Sequence, residues 1–246
     1  MGFGGFGFNT AQGTVGGFAP AQGGSSSFTP ADLTGLVDWW DAGAAYVTKR
    51  GGGAPSNNDP VLQWTGRVNS IDLDQAVEVE QPLWIASGQN SQPVIRFDGV
   101  DDYLASAGFG AKSQPNTIFA AIKVDAPVIG NTIFDGITGG RNALIINADK
   151  FKPYAGSYAA GPSKDANFNI LTCIYNSTAS AIRVSGSETA GIDAGVDDMD
   201  GLTVAANITP AAFTGMDIAE IIIVDGLSSA ADIAATESYL MSKYGI

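Results

Sequence analysis

From Phe28 onward the chain alternates apolar and polar residues in short runs, separated by clusters of Gly, Asn, Asp, Ser and Pro. That is the pattern of many short strands joined by turns. The runs at residues 36–40, 61–64, 94–97, 117–124, 132–135, 143–147, 169–175, 181–184, 201–204 and 216–224 read as strands. GGGAPSNNDP, SGQNSQP, GVDD, DGITGG and VDDMDG lie between them, rich in residues that accept positive φ or bond their own backbone. This spacing favours an antiparallel sandwich over a parallel sheet. Residues 117–124 and 218–224 are apolar at nearly every position, which predicts central strands covered on both faces.

A helix is predicted over residues 229–244. Ser228 or Ser229 can cap it and Asp232 sits near its positive end. Ile233, Leu240 and Tyr244 form one apolar stripe beside Ala230 and Met241, and Gly245 stands where a glycine ends a helix. Its stripe is suited to packing on the sandwich.

Residues 1–27 carry no such pattern. MGFGGFGFNTAQGTVGGFAPAQGGSSS is a Gly/Phe/Ser tract, and ordering its backbone costs about 30–50 kcal/mol at roughly 1–2 kcal/mol per residue. Burying Phe3, Phe6, Phe8 and Phe18 returns only about 1.5–3 kcal/mol each. The tract therefore reads as an arm that an outside surface holds, through these four phenylalanines and main-chain hydrogen bonds to a neighbouring subunit. A flexible linker is the alternative. A basic n-region, a long apolar h-region and an A-x-A site are all missing, and Phe6 stands where a myristoylation motif needs Ser or Thr.

Composition narrows the class. The 246 residues are 45% hydrophobic, enough for one substantial core, so one domain over 28–246 behind the arm is the simplest organisation. Only 15% of residues are charged and 32 are glycine, which suits strands and turns and predicts an all-β fold. The net charge of −13 repels phosphate backbones and argues against nucleic-acid partners. Cys173, the only cysteine, lies in a strand-like run and reads as a core residue, with no intrachain disulfide to make. No apolar run reaches the roughly 20 residues that span a bilayer.

Four segments carry a resemblance: DLTGLVDWWDAG (residues 32–43), VLQWTGRVNS (61–70), QPVIRFDGVDDYLA (92–105) and MDIAEIIIVDGLSSAADIAATESYLMSKYGI (216–246). Together they resemble the concanavalin A-like lectin/glucanase superfamily, in the laminin G-like branch found in phage structural and bacterial surface proteins. The resemblance implies a two-sheet antiparallel jelly-roll with a terminal helix. Members bind sugars, mediate adhesion or hydrolyse glycosides, so activity has to be read from sites.

With no histidine, Ser-His-Asp, Cys-His and His-metal chemistry is excluded. A carboxylate pair is what remains. IDLDQAVEVE places Asp72 with Asp74, and Glu78 with Glu80, on shared strand faces, but lacks the Glu-x-Asp-x-Glu order of glycosidases sharing the fold. A solvated, charged edge explains it equally, and no catalytic residue is expected. Asp98, Asp101 and Asp102 in FDGVDDY are the calcium candidates, calcium being the one cofactor considered, with VDDMDG (Asp197, Asp198, Asp200) as a second acidic turn. Trp40, Trp84, Tyr154 and Tyr158 are the candidate glycan contacts, against a core or interface role for each. Trp39 and Trp40 must face opposite sides of their strand.

The expectation from these residues is a non-catalytic virion or surface-assembly protein, a decoration, tail or fibre component. It docks onto other subunits of a particle or homo-oligomer through its arm and displays a lectin-like sandwich. A carbohydrate-binding adhesin for host-surface glycans is the second reading and a glycoside hydrolase the third.

Overall fold

The computed structural model describes residues 1–4, 27–125 and 131–246. In chain order the strands are β1 (Leu36–Asp41), β2 (Val47–Lys49), β3 (Asp59–Thr65), β4 (Asp72–Asp74), β5 (Leu83–Gln89), β6 (Gln92–Asp98), β7 (Leu104–Ser106) and β8 (Asn116–Val124). There follow β9 (Asn131–Asp135), β10 (Ala143–Asn147), β11 (Lys150–Tyr154), β12 (Phe168–Tyr175), β13 (Ser180–Val184), β14 (Ser187–Ile192), β15 (Thr203–Val204) and β16 (Gly215–Asp225). The helix α1 (Ala230–Tyr244) closes the chain.

These elements form an antiparallel β-sandwich. One sheet runs β5-β6-β16-β8-β12-β13-β14 and the other β11-β10-β9-β15-β7-β4-β3. The long strand β16 has room for both β6 and β1 along one edge. Strand β3 joins the sheets: Asp59 and Pro60 pair with β5, whereas Gln63, Trp64 and Thr65 pair with β4.

The core follows from the alternation. Ile118, Ala120 and Ile122 of β8 and Ile221 and Ile223 of β16 face the opposite sheet, among Trp40, Trp64, Phe97 and Phe134. Phe119, Ala121 and Ile222 face the other way, where Leu240 and Tyr244 of α1 cover them together with Trp39. Both central strands are thus buried on two faces, as their apolar runs predict. Ser229 accepts a hydrogen bond from the Asp232 amide at 3.1 Å to start α1, and Gly245, with φ of 68°, ends it.

Two glycan candidates belong to this core instead of a surface. Trp40 is fully buried and donates its indole N–H to the Ile71 carbonyl at 2.8 Å; Trp84 is 7% exposed and donates to the Ala42 carbonyl at 2.7 Å. Large rings with a satisfied N–H gain more from burial than from display. Trp39, on the opposite face, lies edge-on to Tyr239 and beneath the Arg67 guanidinium at 3.7 Å, so α1 and Arg67 cover it. Cys173 is buried, and burial pushes its thiol pKa up.

Charged groups are buried where the chain needs anchoring. Asp38 accepts hydrogen bonds from the amides of Trp39, Val68, Asn69 and Ile71 and so shapes the turn after β3. Under α1, the directly opposed Asp41 and Glu220 share Lys243, and Glu220 also accepts from Trp39, Tyr239 and Tyr244. Burial pushes the Glu220 carboxyl upward and the Lys243 ammonium opposes that shift.

Candidate functional site

Three loops converge at one end of the β9-β10-β11 edge: residues 136–142, 155–163 and 193–201. Asp135 closes β9 with its carboxylate fully buried, and Arg141 folds back over it in a two-pronged ion pair, Nε to Oδ1 at 3.0 Å and Nη2 to Oδ2 at 2.6 Å. That pair raises the Arg141 pKa, so the guanidinium stays charged. The loop between them is held by Asp200, which accepts from the Ile137 amide at 3.1 Å and from the Thr138 hydroxyl.

Arg141 carries an aromatic platform. Its guanidinium carbon lies 4.7 Å over the Tyr154 ring, and Tyr154 in turn meets Tyr158 with ring centroids 4.8 Å apart and planes inclined by 54°. Tyr154 is half-buried while Tyr158 is 60% exposed. The two tyrosines form a bridge across the turn that follows β11. Loop 193–197 is laced to this turn: Ala155 and Ser157 donate to the Ala194 carbonyl, and Asp197 donates its amide to Ala155. Gly156, with φ of 98°, sits so close that a Cβ there would lie 3.1 Å from Asp197 Oδ1. The Asp197 side chain therefore stands against the platform turn. Lys152 shares the Tyr154 face of β11, two residues back.

An exposed ring braced by a second aromatic, with a carboxylate against its turn and a lysine on the same strand face, presents an apolar face and polar groups together, the composition of a small-ligand site. Of the predicted residues, the structure brings Tyr154, Tyr158 and Asp197 together here. Arg141 and Asp135 escaped sequence reading. The only signal is the Gly139-Gly140 pair before Arg141, which lets a short loop fold back over β9.

The other candidates go elsewhere. Phe3 is exposed, and Phe6, Phe8 and Phe18 lie outside the described residues. Asp98, Asp101 and Asp102 do converge, with carboxylate oxygens within 4.8 Å of one another. Their lone pairs serve the turn, however: Asp102 accepts from the Asp98 amide at 2.9 Å and Asp98 from the Val100 amide at 2.7 Å. Burial pushes the Asp102 carboxyl up to about 6, with the charges of Asp98 and Asp101 adding to the rise. Asp98 and Asp102 therefore spend part of their acceptor capacity on the backbone of their own turn.

Asp72 and Asp74 lie on one solvent-facing side of β4, next to Thr65 and Gln63 across on β3, which donate to them at 2.7 and 3.0 Å. Glu78 and Glu80 form a single 3-10 turn instead of a strand, and Glu78 pairs with Arg50. The four carboxylates thus do not share one strand. An open groove of about 510 Å³ lies along α1, lined by Phe28, Ser238, Tyr239 and Lys243. Lys243 offers it no free donor, because Asp41, Glu220 and the Tyr239 hydroxyl take all three of its hydrogens.

No family model matches the chain, and no curated protein does. Solved structures do. The sialidase of Trypanosoma rangeli in complex with sialic acid superposes at a TM-score of 0.55, with 13% identity over 85% of this chain and 33% of the sialidase. A mutant GH54 α-L-arabinofuranosidase soaked with 4-nitrophenyl α-L-arabinofuranoside reaches a TM-score of 0.64, with 11% identity over 85% of this chain and 63% of the enzyme. The chain thus spans about a third of the sialidase and under two thirds of the arabinofuranosidase. What is shared is the β-sandwich.

These findings correct two expectations. The non-catalytic virion or surface-assembly reading is overturned, since the similar structures are glycosidases, and the exclusion of enzymatic function falls with it. Among the described residues no helix is long and apolar enough to cross a membrane.

Proposed function

We propose that this chain is a carbohydrate-active β-sandwich of the glycosidase kind, within the concanavalin A-like group, and that it seats a sugar ring on Tyr158. The observation that carries this is the built platform: Tyr158 exposed, Tyr154 behind it, Arg141 behind Tyr154, and Asp135 buried beneath. A surface tyrosine on a loop costs rotamer freedom when it binds, whereas one braced in this way has little left to lose. The sugar's C–H face rests on the ring, and Asp197 and Lys152 supply an acceptor and a donor for its hydroxyls. The similarity to a sialidase and an arabinofuranosidase supports a carbohydrate as the ligand class.

Hydrolysis by this chain itself is a second reading, favoured by Asp72 and Asp74. They share one solvent-facing side of β4 at a backbone spacing of about 6.6–6.8 Å, and a pair of carboxylates is what glycoside hydrolysis uses. Strand β4 is five strand steps from β11 in the sheet order, roughly 24 Å at about 4.8 Å per step, so the pair and the platform would engage different units of one glycan.

The test is retention on immobilised arabinan, xylan, β-glucan, chitin and sialyllactose, combined with release of nitrophenol from aryl glycosides. Binding to one of these glycans that falls at least tenfold in Tyr158→Ala supports the proposal. Retention on none of them, or binding indifferent to Tyr158→Ala, sinks it. Aryl glycoside turnover abolished by Asp72→Asn or Asp74→Asn would establish the second reading.

A further inference from the structure

The platform is one ring wide, and that bears on what it holds. Tyr154 is a bracing ring: Arg141 lies over it at 4.7 Å, Tyr158 crowds it at 4.8 Å with its plane tilted by 54°, and it is partly buried. Among the described residues Tyr158 and Phe3 are the exposed aromatics, and Phe3 stands at the far start of the chain. The strand-like stretch after Tyr158, Ala159 to Ser163, pairs alongside β11 through Ala159 and Phe151 and carries no ring to continue a stacking row. On the other side, loop 193–197 is bonded along the turn and sets Asp197 against Gly156. A polysaccharide lying along a surface needs successive apolar contacts at the spacing of its units; this surface offers one, with a loop beside it.

We infer that Tyr158 receives a single terminal or branch sugar unit and not an internal stretch of polysaccharide. This rests on the carbohydrate reading of the site given above. The binding free energy comes from one ring and the polar groups around it, so lengthening the ligand adds nothing to it. Specificity then resides in hydroxyl orientation at that unit, read by Asp197 and Lys152.

The experiment uses the full chain and the soluble oligomers, one to six units long, of whichever immobilised glycan retains it. Titration calorimetry is expected to give dissociation constants that agree within threefold from monomer to hexamer. Limited fragmentation of the polymer is expected to raise the number of bound molecules per gram in proportion to the chain ends created. An affinity that climbs tenfold or more between monomer and hexamer, with Tyr158→Ala still abolishing binding, overturns the inference and leaves the carbohydrate reading standing. Indifference to Tyr158→Ala overturns both. Asp197→Asn, which keeps the shape of the turn, is expected to weaken monomer and hexamer by the same factor; an unequal loss also counts against a single-unit site.

Discussion

Asp38 organises more backbone than any helix cap in this chain. Its two oxygens accept four amides, and its neighbour Gly66 has no room for a side chain, because a Cβ would run into that carboxylate. Replacing it with Ala strands several buried donors at about 1–3 kcal/mol each before the turn relaxes. Asp38→Ala is expected to lose about 3–5 kcal/mol of unfolding free energy in urea titration, and Asp38→Asn less, since the amide oxygen still accepts. Asp102 works in the opposite sense. Burial raises its folded pKa to about 6 from an ordinary 3.8, so the folded state holds a proton that the unfolded state has released between those values. Stability from this group is therefore greatest below about pH 4, falls as pH rises to about 6, and is flat beyond. Asp102→Asn is expected to flatten the pH profile of thermal melting across that window and to gain most relative to wild type above pH 6; an unchanged slope refutes the assignment. Neither role was legible. Asp38 sits between two apolar residues with nothing local to mark it, and Asp102 stands in the sequence only as one of three calcium candidates, because sequence shows how many carboxylates a turn has and not which amides they meet.

Elements were legible in proportion to how much of their burial is written locally. Strands β8 and β16 and helix α1 carry long apolar runs or stripes, and each appears where the pattern puts it. Strands β4 and β7 are three residues long, fall in none of the apolar runs, and exist because partners elsewhere in the chain align them. The same holds for the platform: Tyr154 and Tyr158 were visible as a pair, but Asp135 and Arg141 become its base only through a fold-back around Gly139 and Gly140. At the helix, Lys243 holds two opposed carboxylates, Asp41 and Glu220, in a place with little water. Lys243→Ala leaves Arg67 on Asp41 at 2.8 Å but takes from the buried Glu220 the only cation it pairs with among the described residues, and is expected to cost about 3–5 kcal/mol, or a melting temperature lower by about 6–20 °C for a domain of this size. Adding Glu220→Leu should recover part of the loss, since the uncompensated buried charge goes with it. A double variant no more stable than Lys243→Ala alone would show that α1 is held by its apolar stripe and not by this network.

For the whole molecule the decisive quantity is the imbalance of 25 acidic against 12 basic residues. Most of the cations are already engaged: Lys49, Arg50, Arg67, Arg96, Lys112, Arg141, Arg183 and Lys243 all lie in ion pairs. Among the described residues Asp72, Asp74, Asp101, Asp193, Asp197, Asp198 and Asp200 have no such partner, and several sit near one another on loops at the ends of the sandwich. Salt acts on both populations, but not equally. The Debye length shrinks from about 30 Å at 0.01 M to about 10 Å at 0.1 M, which removes repulsion between loops while the short pairs, at 2.6–3.4 Å and partly buried, keep most of their attraction. Exposed pairs contribute only about 0–1 kcal/mol each in any case, so there is little on that side to lose. The melting temperature at pH 7 is therefore expected to rise by a few degrees between 10 and 300 mM sodium chloride, steeply at first and then levelling. A monotonic fall would mean that the ion pairs outweigh the net charge, and that the acidic shell stabilises this sandwich through its partners despite its own repulsion.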